Sequence, residues 1–366
     1  MEKDDSYFLY GYHGVGNFGD DIFLKIFCDR ILNNSINSKI TFKSGKNKSI
    51  LDIGRAKKIN SPRFLKRLVW GNIFINTLTK NKFVFCAGSL FVSQSFILMY
   101  FTLKLLKLFK GEKFKIYAIG VTLGPVSSFI NKFFFLRTLK LFETVGVRDK
   151  VSLEFYNGSN VIYTNDIALK YILDSKGKHN TLKVDGEKVI GISINNEFYD
   201  SPCYITLLDE LSNYLKGDED IVIKLFNSCL DEVDGDKEFC LKLEGDLKVS
   251  VPNNVKVINH NPMDVDYFID EIRTCNKIIT ARMHVGLVGL LLDIQTLQFG
   301  YAPKVKRLFD SIDISPEFLA DKYDFEEKII EILSEKNTNK NNFILSPKLK
   351  DQFELCETLY TSISEH

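Results

Sequence analysis

The sequence predicts an α/β protein of two doubly wound domains with a cleft between them, and three observations carry that expectation. Apolar strand-like runs alternate with helical stretches through the first half, and the same alternation restarts after a polar interval. The 366 residues are long for one ordinary domain and suit two of roughly 150 to 180 each. Glycine-rich or charged turns fall where strands give way to helices, which is where open α/β sheets bind ligands. The expected division is a first domain over 1–174, a linker over 175–188, a second domain over 189–335 and a tail over 336–366.

Element by element, Tyr7-Phe-Leu-Tyr-Gly-Tyr12 reads as the first strand, followed by a glycine-rich loop and a helix over 21–32. Next come a strand near Ile40-Thr-Phe42, a helix from Pro62, the strand Lys82-Phe-Val-Phe-Cys86 and a long basic helix over 96–110. The strand Phe114-Lys-Ile-Tyr-Ala-Ile119, a helix over 127–142, Thr144-Val-Gly-Val147, a helix over 150–156 and Val161-Ile-Tyr163 complete the first set. The polar interval contains Ser175-Lys-Gly-Lys-His-Asn180 and Asp185-Gly-Glu-Lys188. Beyond it lie Val189-Ile-Gly-Ile-Ser-Ile194, a helix over 204–215, Ile221-Val-Ile-Lys-Leu225, Val255-Lys-Val-Ile258 and a helix over 264–273. A strand through Ile278 and Ile279, a helical run over 285–292 and Gln295-Thr-Leu-Gln-Phe299 follow. Residues 348–364 read as a closing helix able to return to the first domain.

Composition narrows the function classes. Seven cysteines (Cys28, Cys86, Cys203, Cys229, Cys240, Cys275 and Cys356) are scattered without a CxxC pair, which points to a reducing compartment and away from a zinc site. A polar start running straight into a strand, and apolar runs interrupted by Lys104 and Lys107, give the expectation of a cytoplasmic protein without a signal peptide or spanning helix. Formal net charge is +1, yet residues 56–150 hold 17 Lys or Arg against 3 Asp or Glu, leaving 31 against 44 elsewhere. That basic stretch is rich in Phe, Leu and Tyr, and Lys104, Lys107 and Lys110 fall on one arc of the expected helix. Such a helix suits the anionic inner face of a membrane, as a peripheral protein. No nucleic-acid-binding motif is present.

Three kinds of residue carry chemistry. Lys277-Ile-Ile-Thr-Ala-Arg-Met-His284 sets Arg282 and His284 where a buried strand becomes an apolar helix. A helix start supplies free N–H groups, Arg282 a permanent fork of donors, and His284 a proton mover near neutral pH. Gly11-Tyr-His-Gly-Val-Gly-Asn-Phe-Gly-Asp-Asp21 allows close backbone approach to an anion or a sugar, without the spacing of a dinucleotide fingerprint. Of its carboxylates, Asp20 and Asp21, one suits a helix cap and the other a general base toward a hydroxyl. Asp264 reads as a helix start, and the carboxylates from Asp231 to Asp236 as an acidic loop that fails the calcium pattern.

Together these loops resemble the polysaccharide pyruvyl transferase family, over most of the chain and in order. Gly16-Asn-Phe-Gly-Asp-Asp21 is similar to the family's opening motif, Cys86-Ala-Gly-Ser-Leu90 to its glycine turn, and Ile119-Gly-Val-Thr-Leu-Gly-Pro125 to its next strand end. Val147-Arg-Asp-Lys-Val-Ser152 resembles its Arg-bearing turn, Asn165-Asp-Ile-Ala168 its Asp-Pro-Ala segment, Arg282-Met-His284 its Arg-x-His motif, and Tyr301 with Lys304 its terminal pair. The chain departs from the pattern at Ala87 and Ser89 beside Gly88, at Asp149 where Glu is common, and at Ile167 in place of Pro.

The resemblance implies a GT-B-like pair of Rossmann-like domains and a transferase that moves a pyruvyl group from phosphoenolpyruvate to a sugar diol of a polysaccharide or its lipid-linked precursor. It implies His284, Arg282, Arg148, Asp20 and Asp21 as catalytic residues, and Gly16, Asn17, Gly19, Gly88, Ser89, Tyr301 and Lys304 as substrate contacts. No metal or cofactor enters the scheme, and phosphoenolpyruvate is the donor substrate. The alternatives are a nucleotide-sugar glycosyltransferase of the same fold, or a non-catalytic membrane-surface scaffold of polysaccharide assembly.

Overall fold

A parallel sheet covered by helices on both faces buries every strand twice, so its strands must be apolar throughout, and the central runs of this chain are. The computed structural model describes residues 5–13, 16–34, 38–43, 52–53, 56–59, 69–86, 88, 90–91, 96–176, 188–216, 220–231, 235–248, 254–300, 302–314, 318–334 and 346–365. These form two units. One comprises Met1–Val15, Asp20–Ala168 and Ser346–His366, and the other Gly16–Gly19 and Leu169–Leu345. The division falls at Ala168, ahead of the 175–188 interval, and each unit is assembled from separated pieces of chain.

The elements of the first piece are, in order, β1 (Ser6–Tyr10), α1 (Phe18–Asn34), β2 (Lys39–Lys43), β3 (Asp52–Ile53), β4 (Ala56–Ile59), α2 (Val69–Thr77), β5 (Lys82–Cys86) and α3 (Phe96–Lys110). They continue with β6 (Lys115–Val121), α4 (Phe129–Leu139), β7 (Thr144–Val147), α5 (Lys150–Phe155), β8 (Val161–Tyr163) and α6 (Ala168–Ser175). The strands make one sheet in the order β3-β4-β2-β1-β5-β6-β7-β8, parallel except for the β3–β4 pair. Strand order reverses at β1 and β5, registered through Tyr7 opposite Lys82 and Leu9 opposite Val84, so the loops after these strands flank a topological switch point. An aromatic core of Phe8, Phe83, Phe85, Phe91, Phe135 and Phe142 fills one face. Burying each such ring contributes roughly 1.5–3 kcal/mol.

The rest comprises β9 (Lys188–Ser193), α7 (Asn196–Tyr199), α8 (Cys203–Leu215), β10 (Ile221–Asn227), α9 (Lys237–Lys248), β11 (Val255–Asn259), α10 (Val265–Arg273), β12 (Lys277–Thr280) and α11 (Met283–Leu291). It ends with β13 (Gln295–Phe299), α12 (Pro303–Ser311), β14 (Leu319–Ala320), α13 (Phe325–Leu333) and α14 (Pro347–Glu365), the last of which belongs to the first unit. The second sheet runs β11-β10-β9-β12-β13-β14, wholly parallel, with its reversal between β9 and β12. Ile192 lies opposite Ile279, and Ser193 opposite Thr280.

Several elements differ from the sequence expectation. Helix α1 starts at Phe18 rather than residue 21, because the Asn17 side chain accepts from the Gly19 N–H at 3.1 Å and the Phe18 N–H donates to the Ser228 carbonyl at 2.9 Å. The β3–β4 pair and α6, α7, α9, α12, β14 and α13 have no counterpart in the sequence expectation. Charged residues dilute the periodicity of α9, although Cys240, Leu243 and Leu247 are buried at helical spacing. Helix α4 is shorter than 127–142, beginning after Ser128, whose side chain accepts from the Asn131 N–H. A helix start at Pro62, His179, and the polar run 337–342 lie outside the described residues.

The lysines of α3 require a correction. They do not form one solvated row: the Lys110 ammonium caps the end of α2 by donating to the carbonyls of Thr77 at 3.3 Å, Leu78 at 2.9 Å and Lys80, and Lys107 pairs with Glu143 at 3.0 Å. Lys104 remains exposed, its ammonium 5.5 Å from the Tyr100 ring centroid. Among the described residues no helix is long and apolar enough to cross a membrane.

Candidate active site

In the second unit the site grows from the carboxyl end of β12. Ile278, Ile279 and Thr280 are buried, and the strand is prolonged by an Ala281 N–H bond to the Ser193 carbonyl at 2.8 Å. The Thr280 hydroxyl accepts from the Arg282 N–H at 2.9 Å, which turns the chain so that Arg282, with extended backbone, becomes the N-cap of α11. Glycines let that helix lie close on the sheet. A Cβ at Gly286 would meet Gln298 Oε1 at 2.0 Å, and one at Gly289 would meet Thr296 Oγ1 at 2.4 Å. The start of α11 therefore sits at the switch point, where its partial positive charge adds to that of Arg282.

Arg282 is oriented by a residue that sequence reasoning missed. Its Nε donates to both oxygens of Asp236, at 2.9 and 3.1 Å, and its Nη2 pairs with the same carboxylate. The Asp236 side chain is fully buried, and its second oxygen accepts from the Ser228 hydroxyl at 2.9 Å. Burial pushes the Asp236 carboxyl above the usual range against the opposing pull of Arg282 and Ser228. The acidic loop thus supplies a buried counter-ion. The available signal is Gly235-Asp236 immediately before an amphipathic run, since the Asp236 backbone carbonyl accepts from the Cys240 N–H at 2.8 Å at the start of α9.

Gly16–Gly19 also pack within this unit. Asn17 bridges Cys229 in antiparallel fashion, and the Gly16 carbonyl accepts from the Leu230 N–H at 2.9 Å. Gly16 has φ +82° and lies against Leu230, which would meet a Cβ at 2.7 Å. The Phe18 ring contacts His260 and Phe268 at centroid distances of 5.4 and 4.7 Å, making His260 a buried packing residue. Gly19 faces His284: a Cβ there would lie 2.0 Å from the imidazole Nδ1. Two motifs far apart in sequence therefore meet at the half-buried His284 ring.

The first unit carries a separate cluster after β7. Arg148 is 3% exposed, donates its N–H to the Val121 carbonyl at 3.1 Å, and donates Nε to the Thr122 hydroxyl at 2.7 Å. That hydroxyl donates to Asp149 at 3.1 Å, while Nη1 of Arg148 lies 3.4 Å from Asp166. Asp149 is the N-cap of α5, accepting from the Ser152 N–H at 2.8 Å, so the shorter acid at this position has a definite local use. Gly88 makes room for the guanidinium, which a Cβ would meet at 2.1 Å. Asn165 holds a left-handed φ of 61° and accepts the Asp166 N–H at 2.8 Å.

His13, in the glycine-rich loop, is fully buried, with Nδ1 3.3 Å from the Asp20 carbonyl. Burial outweighs that bond and lowers its pKa to about 4. Asp21 is fully buried in the first turn of α1 and Asp20 half-buried. Lys304 is exposed on the first turn of α12. Ser89 and Tyr301 lie outside the described residues.

The polysaccharide pyruvyl transferase family profile matches residues 17–303. The chain belongs to that family. The match runs from the Asn17 loop through the Arg282 turn, so both halves of the His284 environment fall inside it, and it makes the protein a transferase acting on polysaccharide. No curated protein matches the chain in sequence. Among solved structures, a Listeria monocytogenes protein assigned as a UDP-N-acetylglucosamine 2-epimerase superposes with TM-score 0.65 at 8% identity, covering 100% of this chain and 97% of that one. The UDP-GlcNAc 2-epimerase of Methanocaldococcus jannaschii gives TM-score 0.60 at 11% identity, with 98% and 100% covered. The lipopolysaccharide outer core galactosyltransferase WaaB gives 0.53 at 11%, with 98% of each chain covered. These likenesses establish the GT-B-like, two-Rossmann fold for this pyruvyl transferase family member.

Proposed function

We propose that the protein transfers a pyruvyl group from phosphoenolpyruvate to two hydroxyls of one sugar in a polysaccharide or its lipid-linked precursor, forming a cyclic ketal. The observation that carries the reading is the meeting of Gly19 with His284, two residues from an Arg282 held by a buried carboxylate. Phosphoenolpyruvate is small and highly charged, and a guanidinium braced along its Nε edge binds such an anion with little loss of side-chain freedom. Arg148 is the second donor-binding cation in this scheme.

Protonation of the methylene carbon makes the central carbon cation-like. We assign that proton to His284. A first sugar hydroxyl adds to the central carbon and loses its proton, for which Asp20, the more exposed of the two loop carboxylates, is the base. A second hydroxyl then displaces phosphate and loses its own proton, with Arg282, Lys304 and the α11 start stabilising the departing charge. Gly16, Asn17, Gly88, Ser89 and Tyr301 are assigned to substrate contact, and the enzyme to the cytoplasmic face of a membrane where lipid-linked acceptors reside.

Donor binding read by thermal shift, with turnover read by pyruvate ketal in the product, separates the roles. His284→Ala is expected to lower turnover by roughly 10²–10⁴-fold while sparing donor binding, and Arg282→Ala to weaken both. Equal loss of donor affinity in the two variants would remove the proton-transfer role, and stabilisation by a nucleotide sugar but not by phosphoenolpyruvate would replace the donor.

A further inference from the structure

The surface formed by α3 and α4 exposes more large apolar area than the interior accounts for. Helix α3 buries Phe96, Met99, Tyr100, Leu103 and Leu106 against the sheet, which is a complete core-facing stripe. It nevertheless exposes Leu98, Phe101, Leu105, Leu108 and Phe109 on the other side, with Leu108 76% and Phe109 70% accessible. Helix α4 exposes Phe129, Ile130 and Phe133, Phe129 at 84%. The seam between the helices joins these residues: Phe101 contacts Phe134 at 5.7 Å, and Phe134 contacts Phe133 at 5.4 Å between ring centroids. Phe109 in turn meets Phe74 of α2 at 6.2 Å, beside exposed Ile75 and Leu78. Monomeric soluble surfaces rarely carry a contiguous apolar patch of this extent without a use.

Charge selects the occupant. Exposed cations Lys104, Lys113, Lys132, Arg137 and Lys140 lie on or beside these two helices, and over residues 96–140 the sole carboxylate is Glu112. Lys104 and Arg137 lie over the Tyr100 and Phe133 rings, at 5.5 and 4.4 Å, at the border of the patch. Aromatic and leucine side chains surrounded by cations match the interface of an anionic bilayer, where rings and alkyl groups enter the headgroup boundary and the cations stay at the phosphates.

We propose that the α3–α4 face docks the protein on an anionic lipid bilayer by inserting Leu105, Leu108, Phe109, Phe129, Ile130 and Phe133. Apolar insertion, rather than a row of lysines, supplies the attachment. Lys107 and Lys110 are already engaged with Glu143 and with the end of α2, and they are spectators. This assignment is independent of the donor and acceptor assigned above.

The test is flotation of the full-length protein with vesicles of pure phosphatidylcholine and of phosphatidylcholine containing one third phosphatidylglycerol. Wild-type protein is expected to float with the anionic vesicles only. Leu108→Glu combined with Phe129→Glu should reduce binding by more than tenfold, with an unchanged unfolding temperature because both side chains are exposed. Lys107→Ala should bind within about twofold of wild type, whereas Lys104→Ala with Lys132→Ala should weaken binding more at low salt than at high salt. Equal binding to both vesicle types, retention by the double Glu variant, or dimers that the Glu substitutions dissociate without any vesicle binding would each overturn the proposal. Because the readout is vesicle binding alone, its failure removes the membrane placement but leaves the pyruvyl-transfer chemistry untouched, and failure of that chemistry leaves flotation unaffected.

Discussion

Arg148 and Arg282 occupy the same kind of place, a strand's carboxyl end where the next helix begins, yet they are held in different ways. Arg148 is almost fully enclosed and leans on a neutral hydroxyl, with its carboxylate partner at 3.4 Å. Arg282 keeps 18% of its side chain accessible and is chelated by a carboxylate with no exposure at all. Enclosure fixes the first, and a counter-ion fixes the second. Arg282 thus combines accessible surface with a fixed counter-ion, and Arg148 combines enclosure with a hydroxyl and a more distant carboxylate.

The comparison can be broken most severely by removing the counter-ion's partner. Arg282→Ala leaves Asp236 buried without its charge complement, and a loss of roughly 3 kcal/mol or more in urea unfolding is expected. Arg148→Ala should cost less, about 2 kcal/mol, because its pair with Asp166 is a single contact at 3.4 Å and Asp166 keeps its bond from the Ala168 N–H at 3.0 Å. The reverse order of the two losses would show that enclosure, not pairing, carries the energy. Next in size are the glycines that open space for each cluster. Gly19→Ala is expected to displace the His284 ring and lower turnover on the order of 100-fold, while Gly88→Ala displaces the Arg148 guanidinium and should act first on donor affinity. A kcat and KM analysis of the two variants sharpens which cluster serves the chemical step.

A further effect, confined to acidic pH, concerns His13. Its folded pKa of about 4 lies below the unfolded value of 6.5, so the unfolded chain binds more protons between those limits. Stability from this residue is intact above about pH 6.5 and declines as the pH falls toward 4. His13→Asn should flatten that decline by about 2 kcal/mol near pH 5, measured as the difference between variant and wild-type unfolding at pH 7 and pH 5. An unchanged pH slope would contradict burial as the cause.

Much of the fold was legible in the sequence because the central strands of a doubly wound sheet carry continuous apolar runs, as Phe83-Val-Phe-Cys86 and Ile278-Ile279 do. The Arg282 turn was legible for the same reason, with Gly286 and Gly289 marking close packing of the next helix. Asp236 was legible only as the start of a helix, because its partner Arg282 stands 46 residues later and no local pattern links the two. The meeting of Gly19 with His284 leaves no local trace either. Helical spacing placed Lys104, Lys107 and Lys110 on one arc, but spacing cannot tell which long side chain bends back to a carbonyl, and that is what separates Lys110 from Lys104.

Helix α14 completes the first sheet's unit from the opposite end of the chain. The buried Lys82 ammonium reaches the Ile363 carbonyl at 2.7 Å and Asp5 at 2.6 Å, and Asn165 donates to Gln352 at 2.7 Å. Without α14 the Lys82 ammonium keeps Asp5 but loses the Ile363 carbonyl, and Asn165 loses Gln352. The first unit is thereby left incomplete until residues 346–365, which follow the whole of the second unit in sequence, have joined it.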